Sequence, residues 1–158
     1  MAIYMKFGSI EGQVTTSGFE KWIECHSFQY GVGRGVTSGA GGQQRESSNP
    51  SISEITITKV FDKASSGLYE DAIAGSFDTK VEIKMTSTTK NKVDTFLTYE
   101  LSECGVSGYS ISSGGDNPSE SLSLNFTKIM ISPSPLDDKG SPAAGAKVTY
   151  DLKAMTKS

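Results

Sequence analysis

Histidine occurs once in this chain, at His26, and tryptophan once, at Trp22. A Ser-His-acid or Cys-His catalytic site would have to be built on His26. Its neighbour is Cys25, and adjacent residues on a strand point to opposite faces, so the two are poorly placed to act together. Cys25 and Cys104 are the only cysteines, and nothing surrounds them with the recurring Cys, His and carboxylate spacing of a zinc site. They read as reduced thiols from a reducing compartment; a disulfide stays open, because sequence does not place the Cβ atoms. No apolar run approaches the roughly 18 residues of a membrane span. Met1 to Gly8 lacks the basic, apolar and small-residue segments of a secretory signal. The expectation is a protein without membrane insertion that, if exported, leaves without a cleaved signal.

Net charge is also small. The net charge is -3, and acidic residues interleave the basic ones, which disfavours a nucleic-acid partner. Gly31-x-Gly-x-Gly35 follows a strand, but no helix follows it, so the phosphate-holding helix N-terminus of a dinucleotide fingerprint is missing. No Gly-Lys-Ser phosphate loop is present. Glu24, Glu54 and Glu82 read as solvated strand residues, not as a glycosidase pair. Asp137 and Asp138 lack calcium-loop spacing. No catalytic residue, cofactor or metal site is expected.

What the chain does have is strands. Its 158 residues, 17 of them glycine, suit one domain, 1–158, of all-β class with many turns. Strands are expected at Ile3 to Phe7, Phe19 to Val32, Ile52 to Phe61, Phe77 to Thr86, Thr95 to Cys104, Val106 to Ser113, Ser119 to Ser132 and Lys147 to Ala154. A polar hairpin turn is expected at Thr86 to Lys92. Ile23 and Cys25 have one parity and Phe28 and Tyr30 the other, which predicts a bulge near His26 and Ser27. Leu122, Leu124 and Phe126 against Ile129 and Ile131 predict a second near Thr127. In the last strand Val148, Tyr150 and Leu152 are expected to point inward. Asp62 to Gly75 is the one helix, capped by Ser65 or Ser66 and closed by Gly75, with Leu68, Ala72, Tyr69 and Ile73 as a single apolar stripe. The sum is a closed or nearly closed barrel of about eight or nine mainly antiparallel strands, one end plugged by the short helix. Between the second and third strands lies a glycine-rich excursion, about residues 33–50, with no large apolar anchor beyond Val36. A loop that long needs a reason such as disorder or partner contact.

Lys21-Trp-Ile-Glu24 and Ser27-Phe-Gln-Tyr-Gly31 resemble the haemolysin-coregulated protein (Hcp) family of type VI secretion systems. Ser51-Ile-Ser-Glu-Ile-Thr-Ile-Thr-Lys59, Asp62-Lys-Ala-Ser-Ser66, Cys104-Gly-Val-Ser107 and Glu120-Ser-Leu-Ser-Leu-Asn-Phe126 follow in the family's order, over about residues 2 to 154. One departure is Gly67, where family members often carry proline. The resemblance implies a homohexameric ring, a non-enzymatic tube subunit whose rings stack and are expelled by a contractile sheath, and a lumen that carries effector cargo. It implies spike, sheath and baseplate partners, and residence in the bacterial cytoplasm before export. By the family pattern Gln29, between Phe28 and Tyr30, is the lumen-facing candidate. The excursion matches the family's extended loop, making Arg34, Gln43, Gln44, Arg45 and Glu46 candidates for contact with a neighbouring subunit or ring. A phage-type tail-tube protein is one alternative. A secreted β-barrel carbohydrate-binding module or hydrolase is another.

Overall fold

The computed structural model describes residues 1–37, 46–47, 49–136, 143 and 145–158. Among them run β1 (Ala2–Phe7), β2 (Ile23–Cys25), β3 (Ser27–Gln29), β4 (Val32–Gly33), β5 (Val36–Thr37), β6 (Glu46–Ser47), β7 (Ser51–Ile52) and β8 (Ile55–Val60). Helix α1 (Ser65–Ala74) follows, then β9 (Thr79–Thr89), β10 (Lys92–Ser112), β11 (Ser119–Asn125), β12 (Lys128–Pro133), β13 (Val148–Asp151) and β14 (Thr156–Lys157). The named strands outnumber the eight or nine expected because long runs are broken by bends and the excursion adds short pairs.

Two antiparallel sheets share β10. The first runs β2-β1-β9-β10-β12-β13-β14 and the second β3-β8-β11-β10. The expected second strand is thus divided. Its front half, β2, pairs with β1, and its rear half, β3, pairs with β8. The change of parity at His26 is where the chain passes from one sheet to the other, a larger event than a bulge. The strand ladder is not closed: β2 and β8 form no ladder, and the circuit is completed by the continuous chain and by the His26 N–H donating to the Thr58 carbonyl at 2.7 Å. A matching break separates β11 from β12 at Phe126 and Thr127, as the apolar parity predicts.

β10 is one long strand where two were expected. It passes Gly105 without stopping and crosses from the first sheet to the second through register shifts at Leu101/Cys104 and Val106/Gly108. Glu103 sits in the first of these with a φ of 50°, an unusual conformation for a side-chain-bearing residue. Cys104, Gly105 and Val106 are consequently buried in succession, against the alternation of a regular strand. The hairpin from β9 to β10 turns on Lys90 and Asn91 alone, φ 48° and 66°, the geometry of a two-residue type I′ loop. The wider turn expected at Thr86 to Lys92 is mostly strand.

Inward residues of both sheets make one core: Met5 and Phe7, Ile23, Ile55 and Ile57, Val81 and Ile83, Leu101, Leu122 and Leu124, and Ile129. Along α1 and the Ala64 that precedes it, the buried apolar line is Ala64 and Leu68, with Ala72 half-buried. Tyr69 and Ile73 are exposed, which corrects the single stripe: they lie about 100° further round the helix. Val148 is exposed as well, while Tyr150 and Leu152 pack on the core as expected. The helix is capped neither by Ser65 nor by Ser66. The Asp62 carboxylate accepts from the Ala64 N–H at 2.9 Å and the Ser65 hydroxyl accepts from the Asp62 N–H at 3.0 Å. Gly75 does end it, donating its N–H to the Asp71 carbonyl at 2.9 Å. Gly67 lies against Ile10, three of whose carbons stand 3.2 to 3.3 Å from where a Cβ would be. The small residue there admits the Ile10 loop.

Cys25 and Cys104 are free and buried. Burial pushes both thiols up to about 12. Both are expected to resist a maleimide at mildly alkaline pH until the chain unfolds; rapid labelling of the native protein would show that the core opens locally.

Candidate lumen and assembly surfaces

The outer face of the second sheet is set by register. Ser27 pairs with Thr58, Thr58 with Ser121, and Ser121 with Ser110. The next outward row is Gln29, Thr56, Ser123 and Gly108. Between them the inward row is Phe28, Ile57, Leu122 and Tyr109. Small hydroxyl residues therefore tile this face, and neither row contains a charge. The Ser27 and Thr58 hydroxyls hydrogen-bond across the strands. At the margin Glu54 accepts from the Ser107 hydroxyl at 2.7 Å and the Asn125 amide at 3.3 Å. The outer face of the first sheet differs: Lys80 bridges Glu100 at 3.0 Å and Glu82 at 3.6 Å, and Lys84 stands over Trp22.

Gln29 is exposed on the neutral face, opposite Phe28, whose ring packs on Tyr99. Tyr30 meets the same ring edge-on. Arg34 is exposed beyond β4, at the start of an arm in which β4 pairs with β7 and β5 with β6. Of Glu46 only the backbone pairing to Thr37 is described. Gln43, Gln44 and Arg45 lie outside the described residues, as do Asp137 and Asp138.

A buried charge cluster under α1 escaped the sequence reading. Lys59 and Glu120, directly opposed in the β8–β11 register, form an ion pair at 2.6 Å with both side chains fully buried. The Lys59 ammonium also donates to Asp62 at 2.9 Å and to the Val60 carbonyl at 3.0 Å. The Ser65 hydroxyl donates to Glu120 at 2.6 Å, and the Tyr109 hydroxyl donates to its other oxygen. Burial by itself would raise the Glu120 carboxyl, but the donors Lys59, Ser65 and Tyr109 outweigh it and hold it below its ordinary range. Burial first, and then Glu120, push the Tyr109 phenol up to about 12. Each charge is paired and each buried side-chain polar atom among the described residues has a partner, so the cluster fastens α1 to β8, β10 and β11. The signal was parity: Lys59 continues Ile55 and Ile57, and Glu120 precedes Leu122 and Leu124.

His26 is exposed in a shallow groove with Gln13, Val14, Glu24, Val60, Phe61 and Asp62, facing away from buried Cys25. Among the described residues no group of three or more His, Cys, Asp or Glu side chains is arranged to hold a metal ion. No helix among them is long and apolar enough to cross a membrane.

The family described as "Type VI secretion system effector, Hcp" matches residues 4–132. No curated protein matches the chain by sequence. Among solved structures, one described as a type six secretion system protein overlays with a TM-score of 0.91 at 25% identity, covering 99% of each chain. Hcp1 from Salmonella typhimurium overlays at 0.75 with 20% identity over 100% of both chains. Hcp3 from Pseudomonas aeruginosa overlays at 0.63 with 19% identity, over 95% of this chain and 97% of that one.

Proposed function

This chain belongs to the Hcp family of type VI secretion, and from that premise we propose that it is a non-enzymatic tube subunit: a homohexameric ring that stacks into an inner tube, is expelled by a sheath and carries effector cargo in its lumen. The observation that carries the reading is the family match over residues 4–132, supported by the whole-chain overlay on a type six secretion protein. The subunit waits in the bacterial cytoplasm and is then exported, working alongside sheath, spike and baseplate proteins. Energy comes from the sheath, so the mechanism asks the subunit for rigidity and matching surfaces, not for a nucleotide site.

The neutral hydroxyl face of β3, β8, β11 and β10 supports a lumenal role for Gln29. A bore must hold its cargo and also release it, which favours several weak contacts over a deep charge trap. Ser, Thr and Gln offer such hydrogen bonds to a polypeptide backbone without selecting one charge sign. Gln29→Arg is exposed on that face, so it is expected to change cargo retention in a co-purification assay while electron microscopy still shows rings. Loss of the rings themselves would place Gln29 at a subunit contact instead.

A further inference from the structure

Glu54 stands just beyond the two neutral rows, and neutral groups hold it in place. The register of β10 against β11 slips between Val106 and Gly108. Ser107 is the extra residue of that bulge, and bulges re-aim side chains. Its hydroxyl donates to one carboxylate oxygen of Glu54 at 2.7 Å. The side-chain amide of Asn125, at the end of β11, donates to the other at 3.3 Å. Both donors are uncharged, and among the described residues Glu54 has no cationic partner. The carboxylate is oriented at both oxygens, exposed, and left with its charge uncompensated.

Beside it the chain leaves a cleft of about 50 Å³, lined by Ile52, Ser53, Glu54, Asn125, Phe126 and Leu152. Ile52, Phe126 and Leu152 belong to the core or pack against it and give the cleft apolar walls. Ser53 is fixed by accepting the Gly31 N–H at 2.9 Å. At the rim stand acceptors: the Glu54 carboxylate, and the Asn125 carbonyl, whose amide nitrogen already serves Glu54. A space of this size admits the end of one slender side chain, not a sugar ring or a planar cofactor. Apolar walls leading to an acidic rim fit a methylene stem that ends in a cation with several N–H donors.

We propose that this cleft receives a lysine or arginine side chain of a polypeptide carried as cargo, the stem against Ile52, Phe126 and Leu152 and the cation on Glu54. The occupant rests on the tube-subunit reading, because Glu54 shares the face of Gln29. It lies two residues before Thr56, about 7 Å along the chain, and Thr56 pairs with Gln29. One exposed charge-assisted contact is weak. A ring repeats it in every subunit, so cargo with several basic side chains is held by their sum and released one contact at a time. The hydroxyl rows then give contact without regard to charge, and Glu54 gives the preference.

NMR titration of the methyl-labelled full chain tests this. The probes are a Gly/Ser peptide with one central arginine, the same peptide with citrulline (the neutral isostere), and n-butylguanidinium. The arginine peptide is expected to shift the Ile52 and Leu152 methyl signals with a midpoint about tenfold below that of the citrulline peptide. Glu54→Gln removes the charge from an exposed side chain and is expected to bring the two midpoints together, with the remaining methyl spectrum unchanged. Equal midpoints on the parent chain, or an arginine preference that survives Glu54→Gln, would overturn the site. n-Butylguanidinium binding tenfold tighter than the arginine peptide would overturn the polypeptide occupant in favour of a free cation. Native mass spectrometry of the same samples separates this idea from the one beneath it. Rings without an arginine preference refute the cleft and spare the tube reading; an arginine preference in a chain that forms no rings keeps the cleft and refutes the cargo.

Discussion

Glu120→Ala is expected to destabilise the fold by about 3–5 kcal/mol, the cost of leaving a buried charge without its partner. The stranded charge would be Lys59, fully buried with Glu120 at 2.6 Å. Asp62 would remain beside it at 2.9 Å, and that contact sets the lower end of the range. Removing both charges together has a different outcome. The double variant Lys59→Met, Glu120→Leu fills similar volume, keeps the inward parity of both strands and is expected to lie near the parent in stability. The Ser65 hydroxyl still accepts from the Asp62 N–H, and the Tyr109 hydroxyl can reach water. Urea unfolding of the parent, single and double variants gives the comparison. A double variant as unstable as Glu120→Ala would mean that the hydrogen bonds to Ser65 and Tyr109, not the stranded charge, carry the effect.

The same cluster fixes a pH dependence. The Glu120 carboxyl is held below its ordinary value of 4.5 in the folded chain. The unfolded chain then binds that proton more readily, so the stability Glu120 contributes is complete above the ordinary value and is lost as pH falls through the folded one. Glu120→Gln is expected to flatten this acid limb. Glu11 and Glu103 are also lowered, by Lys63 with Lys21 and by Lys153 with Thr127, but both are exposed and solvent screens them.

Whether a feature of this fold can be read from the chain depends on whether residue type and position agree. Ile23 and Cys25 against Phe28 and Tyr30 forced a change of face at His26, and both faces could be seen because all of these side chains are apolar. The same holds for Leu124 and Phe126 against Ile129. The clean alternation of Val81 and Ile83 gave β9 directly. Lys59 and Glu120 were missed because charged residues on a strand are usually solvated, and only the register shows that each is the other's partner. The continuity of β10 was hidden for another reason. Its change of sheet depends on Glu103 at a positive φ, a conformation residue type does not announce. In the helix, spacing gave a stripe but not its width, because coverage depends on how α1 sits over the barrel end. The outward exposure of Gln29 was legible from its two aromatic neighbours. The hydroxyl rows around it were not, since they exist only once four strands are aligned.

Gly12→Ala is expected to cost about 3 kcal/mol, near the upper end of ordinary overpacking, because the methyl group would meet backbone that has nowhere to go. A Cβ at Gly12 would lie 2.2 Å from the Trp22 carbonyl oxygen, 2.7 Å from its carbon and 2.8 Å from the Ile23 Cα. The two segments are tied there, by Gly12 N–H to the Lys21 carbonyl at 2.7 Å and Val14 N–H to the Trp22 carbonyl at 3.1 Å. Spreading them disturbs both ends of the loop. Toward the sheet it loosens Phe19, which packs on Tyr4 and Trp22. Toward the helix it weakens the hold of the Gln13 side chain, which accepts from the Lys63 N–H at 2.7 Å, and of Ile10 against Gly67. Gly33→Ala is the control: nothing stands within 4 Å of its Cβ position, so its denaturation midpoint should stay with the parent. Equal midpoints for the two variants would mean that the Gly12 loop is not packed on β2 in solution, and the start of α1 would then have to be held by the Lys59 and Glu120 cluster alone.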